Sequence, residues 1–464
     1  MKRITFYSTV LLAFILFGLP AALVSFGDSP APPSGNALLL SDVHFDPLAD
    51  PAIVSRLISA PASEWEAIFD SSAQTDYARC PHDTNYPLLK SALSAAAGQN
   101  SFDFVVASGD YLRHDFQTAF VKAGGSSNEF PVFATKAAVF VVNSIQATFG
   151  VPVYLALGND DSTCVDYGMV PGSAFLAALA DSLHVLRHNP QAATDFRTAG
   201  FYGLPHPTLP HEEILVLNSV LWSPSYSDCG LDRGDPGTAE IHWLRWKLYE
   251  AKILGNKVIL VMHIPPGVDA YKSSHGSDCK AVAQFWRGDY YSQFLELMQS
   301  YGDIVQIALA GHTHMDDFRV LATSGGTSPV AFRITPAISP IFGNNPAFSV
   351  LHYSLGAGTV SDIATYYLDL ANGGKNPGWV LEYRFSAAYG YDAFTAENLE
   401  ALAATIHANP KIRQIFAGYY AVSAPSPITI TNWPFYCCAE THFTAADYSN
   451  CVCNSGPGPA KSEK

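Results

Sequence analysis

Ala308-Leu309-Ala310-Gly311-His312-Thr313-His314 is an apolar run that ends in two histidines one residue apart. Read as a buried strand, it releases both rings just past its end, where the backbone turns and neighbouring strand ends converge. Alone the pair decides little, because most His-x-His pairs are surface or core histidines. The same arrangement recurs upstream. Ala37 to Ser41 runs into Asp42-Val43-His44, Phe102 to Ser108 into Gly109-Asp110, Val151 to Leu157 into Gly158-Asn159, and Val258 to Met262 into His263. Five apolar runs of strand length each deliver a potential ligand at the C-terminal end, where sites gather in sheets covered by helices.

With 464 residues, 48% hydrophobic and 14% charged, the chain reads as globular with a large core. A formal net charge of −15 argues against a binder of nucleic-acid duplexes, whose footprint is basic. An anionic substrate then needs concentrated local positive charge, which metal ions provide. Lys2 and Arg3 precede an apolar segment from about Val10 to Val24 and a Gly/Ser/Pro-rich stretch up to Gly35. That order reads as a signal peptide over 1–26 and a linker over 27–36, so a secreted, extracellular or periplasmic destination is expected. An uncleaved N-terminal anchor is the alternative, and no other stretch is read as a span. Eight cysteines in an exported chain fit the disulfides of an oxidising compartment. The absence of any Asn-x-Ser/Thr leaves a bacterial envelope or extracellular space open.

Along the chain, residues 61–80 read as polar and irregular, and helices are expected over Tyr86 to Ala97, Phe130 to Phe149, about 172–184, Ala239 to Leu254 and Tyr290 to Tyr301. Glycines at 98, 150 and 255 supply stops, and Glu213 to Asn218 reads as a further strand. This strand-helix alternation is the rhythm of α/β packing. From Val330 it changes to short strands over Val330–Ile334, Phe348–Tyr353, Ala364–Leu370 and Trp379–Phe385, expected to pair antiparallel in a second sheet packed on the first. A helical, cysteine-dense segment from Thr395 and a polar, disordered tail over 456–464 close the chain. The expected units are a catalytic domain over 37–385 and a helical subdomain over 386–455.

Asp42, His44, Asp110, Asn159, His263, His312 and His314 form a mixed nitrogen and oxygen donor set without thiolates, suited to zinc, iron or manganese. Seven donors exceed one four-coordinate zinc and match two ions sharing a carboxylate, with Asp110, midway among them, as the bridge. Two divalent ions facing two carboxylates keep a net positive charge that attracts phosphate oxygens and acidifies water. The chemistry that follows is in-line attack on phosphorus by a hydroxide held between the metals. His114, four residues past Asp110, is the candidate general acid for the leaving alkoxide. His206 and His211, set among prolines, are weaker candidates for a substrate cleft.

The blocks Asp42-x-His44, Gly109-Asp110, Gly158-Asn159, His263 and Gly311-His312-x-His314 resemble those of the calcineurin-like metallophosphoesterases. The fuller forms Gly109-Asp110-x-x-x-His114-Asp115, His263-Ile264-Pro265-Pro266-Gly267 and Gly311-His312-Thr313-His314-x-Asp316 resemble its acid sphingomyelinase-like branch. The resemblance implies a four-layer α/β/β/α sandwich, here with a small disulfide-rich C-terminal helical extension, and a dimetal site that usually holds zinc. One ion would be bound by Asp42, His44, Asp110 and His314, the other by Asp110, Asn159, His263 and His312. Asp160 departs from the family, which often carries a phosphate-contacting His there, and an Asp would repel phosphate unless protonated or turned away. The resemblance also implies a Cys229–Cys279 bridge, leaving Cys80–Cys164, with Cys437, Cys438, Cys451 and Cys453 pairing among themselves. Acid sphingomyelinase itself carries a lipid-presenting domain ahead of its catalytic domain, and here about ten residues separate the signal from the first strand. The expected substrate is therefore a small soluble phosphodiester or nucleotide. A nucleotide or polyphosphate hydrolase on the same scaffold and a metal-bearing binding protein without turnover are the alternatives.

Overall fold

The computed structural model describes residues 34–99, 101–322, 328–372 and 374–455. The expected signal peptide, the linker as far as residue 33 and the tail over 456–464 lie outside the described residues. Its strands are β1 (Ser34–Leu40), β2 (Phe104–Ala107), β3 (Val153–Leu155), β4 (Tyr202–Pro205), β5 (Glu212–Val216), β6 (Lys257–Val261), β7 (Val305–Ala310), β8 (Asp317–Leu321), β9 (Val330–Ile334), β10 (Ala347–Ser354), β11 (Val360–Leu368) and β12 (Trp379–Arg384). β1 starts three residues inside the span read as linker.

Two six-stranded sheets result, with orders β12-β11-β10-β1-β2-β3 and β4-β5-β6-β7-β9-β8. β1, β2 and β3 run parallel in the first, and β5, β6, β7 and β9 in the second. Parallel neighbours need crossovers, and the helices Tyr86–Ala97, Phe130–Phe149, Pro236–Leu254 and Gly288–Tyr301 supply them. These agree with the periodicity read from the sequence to within a few residues at each end. Ser173 and Asn85 cap helix starts by accepting from Leu176 N and Leu88 N, and Gly150 and Gly255 end helices in the left-handed conformation that glycine tolerates. The sheets face each other: the Tyr202 hydroxyl accepts from Leu155 N at 2.8 Å, and Arg333 of β9 donates to Ser349 of β10 and Thr365 of β11.

Four expectations change. The strands after Val330 do not together complete the second sheet: β10, β11 and β12 extend the first sheet antiparallel from β1, while β9 joins β7 of the second in parallel. Both edges were open, and each new strand buries apolar residues against one already there. Residues 61–80 are not wholly irregular, because Trp65–Asp70 is helical and buries Trp65, Ile68 and Phe69. Phe130–Phe149 is long and apolar enough by length and composition to cross a membrane, although it had not been read as a span; Phe133 and Phe140 pack on Trp65. The bridges are Cys164–Cys229, Cys279–Cys453 and Cys438–Cys451, with Cys80 and Cys437 free. The expected Cys229–Cys279 and Cys80–Cys164 pairs are therefore wrong, and of Cys437, Cys438, Cys451 and Cys453 only Cys438 and Cys451 pair with each other: the loop after β3 folds onto 223–230, and the last helix (Ala445–Ser455) carries Cys453 to Cys279.

Candidate metal centre

The parallel strands bring their C-terminal ends to one rim, and the seven expected donors lie there together. The main chain is bent sharply to aim them. Asp42, His44, Asp110, His312 and His314 all have positive φ, from 41° to 74°, a conformation costly for residues with a Cβ and held where the surroundings fix it. At Gly158 an added Cβ would strike the Asp110 carboxylate, and at Gly311 it would strike Ser41. The Gly-Asn and Gly-His pairs of the sequence are thus close-approach requirements.

Two clusters share one carboxylate oxygen. Asp110 Oδ2 lies 3.4 Å from His44 Nε2 and 3.0 Å from His263 Nε2. On the first side, His314 Nε2 is 3.1 Å from His44 Nε2 and 3.5 Å from Asp42 Oδ1. On the other, His263 Nε2 is 3.2 Å from Asn159 Oδ1 and 3.3 Å from His312 Nδ1. Donors about 2.1 Å from a tetrahedral ion stand roughly 3.4 Å from one another, so each cluster has the spacing of a divalent cation's ligands. Tautomers agree. The Nδ1–H groups of His44 and His263 donate to Leu112 O at 3.0 Å and Ser108 O at 2.7 Å, turning both Nε2 atoms inward. His314 Nδ1 is buried without a partner among the described residues.

Three of the four imidazoles are held neutral, as ligands must be, and the fourth is protonated against Asp110. Burial lifts Asp42 to about 6 and drives His44 and His314 well below the usual imidazole range. Burial together with the charge of His263 lowers His312 to about 3. Burial would also raise Asp110, but the charges of His263 and His44 hold it below the usual carboxylate range. His263 itself rises to about 9 against its burial because Asp110 adjoins it.

His114 sits at the rim with its ring stacked on His44, centroids 3.9 Å apart. Asp160 lies inside the site: its N–H donates to Asp110 Oδ1 at 2.8 Å, and its Oδ2 is 3.8 Å from His114 Nε2. Burial first, and the Asp110 charge second, push its carboxyl well above the usual range. His206 is buried against Phe104 and Tyr353, and neither it nor His211 lines the cavity in front of the site.

Several residues had no signal in the sequence. Asp161 accepts from the N–H groups of Asp110, Tyr111 and Gly158 at 2.9, 2.7 and 2.8 Å, tying the loops after β2 and β3 together. Asp166 accepts from Asn159 Nδ2 at 2.9 Å, leaving Oδ1 toward His263. Asp83, from an irregular loop, holds His114. Each acts through a contact made only in three dimensions. The cavity in front of the donors measures about 630 Å³ and is walled by Tyr167, Phe285 and Phe342 and, from the C-terminal segment, Tyr420 and Tyr436.

Residues 36–316 match the family model for the calcineurin-like phosphoesterase, and residues 327–456 match that for the acid sphingomyelin phosphodiesterase C-terminal region. The chain belongs to the calcineurin-like phosphoesterases. It is 27% identical to the cyclic GMP-AMP phosphodiesterase SMPDL3A of Homo sapiens, over 94% of this chain and 93% of that one. It is 26% identical to the human acid sphingomyelinase-like phosphodiesterase 3b, over 97% and 95%. Human sphingomyelin phosphodiesterase is 27% identical over 76% of this chain and 54% of its own length. This phosphoesterase is therefore a hydrolytic enzyme of the acid sphingomyelinase-like group, in a family that binds two divalent metals.

Proposed function

We propose that this phosphoesterase is an exported, dimetal-dependent phosphodiesterase acting on small soluble diesters. The observation that carries the reading is the Asp110 carboxylate shared by two donor clusters, with a histidine beside them at the mouth of one cavity. Asp42, His44, Asp110 and His314 would hold one ion and Asp110, Asn159, His263 and His312 the other. When bound, two divalent ions, zinc by the usage of this branch, supply Lewis acidity to the phosphoryl oxygens and acidify water for attack on phosphorus.

The chain's own residues do the rest. Asn159 and Asp110 hold their orientation through Asp166 and through the N–H of Asp160. His114 presents Nε2 to the cavity while Nδ1 is held by Asp83, and so can give a proton to the departing alkoxide. Arg319, the one Arg or Lys lining the cavity among the described residues, already donates to Pro266 O and Val268 O, which leaves no such side chain for the extra charges of a polyphosphate and favours a phosphodiester. The relatives' named substrates, cyclic GMP-AMP and sphingomyelin, are both diesters. Three disulfides fit an oxidising destination. The catalytic unit is read as 37–385, and 386–455 as a helical subdomain that closes one wall.

The test is hydrolysis of bis(4-nitrophenyl) phosphate beside 4-nitrophenyl phosphate by zinc-loaded protein from acid to neutral pH. Diester turnover abolished by chelator is expected. Faster monoester turnover would favour a nucleotide phosphatase, and two bound metals with no turnover of either would favour a binding protein.

A further inference from the structure

The cavity differs along its length. Beside His114 stands Phe342, 58% exposed, with its ring centroid 5.4 Å from that of His114 and 4.5 Å from that of His314. Beside His312 the wall is another set: Phe285 lies 5.2 Å from the His312 ring, at the end of a loop that Phe285 N closes by donating to Gly267 O at 3.0 Å. Tyr271 stands on the same loop, the helix that carries Tyr436 packs against it, and both tyrosines line the cavity. Arg319, the one Arg or Lys lining the cavity among the described residues, already donates to Pro266 O and Val268 O.

Two aromatic seats thus flank a phosphate position, and the proton donor adjoins one of them. In-line displacement puts the entering water and the departing oxygen on opposite sides of phosphorus, so the arm that leaves is the one nearest His114. Water gives up one proton to solvent as its oxygen bonds to phosphorus, the P–O bond to that arm breaks with its electron pair on the arm's oxygen, and the arm departs as an alcohol carrying the His114 proton, which solvent then returns to the ring. The other arm stays on the phosphomonoester. We propose that the cavity is polarised in this way: Phe342 seats the leaving arm, and the wall of Phe285, Tyr271 and Tyr436 seats the retained arm, each a non-anionic group of ring size. The assignment rests on the reading of His114 as proton donor.

The experiment is steady-state kinetics of the zinc-loaded wild type, Phe342→Ala and Tyr271→Ala on two diesters with one leaving group, bis(4-nitrophenyl) phosphate and ethyl 4-nitrophenyl phosphate. Both side chains are 58% exposed, so both variants fold. Phe342→Ala raises KM about tenfold on both diesters, the scale of one lost aromatic contact. Tyr271→Ala raises KM by a similar factor on the bis-aryl diester and by a clearly smaller one on the ethyl diester. Equal effects of Tyr271→Ala on both diesters, or an effect of Phe342→Ala confined to the bis-aryl diester, would overturn the polarity while the phosphodiesterase reading stands. A wild type that hydrolyses neither diester overturns that reading and the polarity with it.

Discussion

Asp83 accepts two hydrogen bonds from His114, one from its main-chain N–H to Oδ2 at 3.0 Å and one from ring Nδ1 to Oδ1 at 3.0 Å. Ser339 Oγ donates to the same carboxylate at 3.0 Å, and the carboxylate is buried. Burial alone would lower the His114 pKa, but the hydrogen bond and charge of Asp83 turn the net shift upward, toward the protonated form that an acid catalyst needs. Asp83→Asn should therefore lower kcat on diesters with alkyl leaving groups by about 10–100-fold, and far less on nitrophenyl diesters, whose leaving group needs no proton. Equal slowing of the two would remove His114 from the acid role.

His263→Ala or His312→Ala should lose metal and activity together, because each ring belongs to the cluster around Asp110 Oδ2. Metal content by mass spectrometry alongside turnover decides it. Full activity in either variant would sink the dimetal assignment.

Asp160→Asn should leave kcat/KM on anionic diesters within a few-fold of wild type, because burial and the Asp110 charge already hold this carboxyl toward its neutral form and the amide keeps an oxygen able to accept from Asn159 Nδ2. A larger fall would give Asp160 a positive part in the reaction.

Three glutamates raised by burial should cost stability as pH rises. Glu240 is buried, accepts from Asn218 N at 2.6 Å through one oxygen, and has no partner for the other among the described residues, so burial pushes it up to about 8. Glu212 and Glu382 are raised to about 7 and about 9 for the same first reason. Each keeps in the folded state a proton that it loses in the unfolded state above about pH 4.5, so stability falls as pH rises from there through the folded values. The melting temperature of Glu240→Gln relative to wild type should therefore rise from pH 5 to pH 8; a difference that stays the same at both would contradict the burial of Glu240.

Cys80 is exposed and Cys437 buried, and burial raises the Cys437 thiol further out of reach. Native protein should therefore expose one reactive thiol to a disulfide reagent, and denatured unreduced protein two. Four thiols, or none, would refute the three bridges.

Much of the centre was legible because strand ends are local. An apolar run followed by Gly-Asp, Gly-Asn or Gly-His states both the strand and the tight approach beyond it, and all seven donors and His114 lie at one rim. Helix bounds were legible for the same reason, since Pro131, Gly150 and Gly255 act within one turn of chain. The strands after Val330 were not, because an apolar run does not say which of two open edges it will join. β8 was missed altogether: Asp317-Phe318-Arg319-Val320-Leu321 reads as mixed, yet all five residues are buried.

The sequence by itself determined which side chains could hold metal and the alternation that gathers them, since both follow from spacing along the backbone. The tertiary structure decided what orients them and what faces the substrate. Asp83 reaches His114 from 31 positions away, Asp316 meets Arg333, Thr365 and Tyr383 between the sheets, and Cys279 takes a partner 174 residues on. Such pairings depend on how two sheets and a C-terminal segment settle against each other. That outcome belongs to the packing of the whole chain, and no local pattern encodes it.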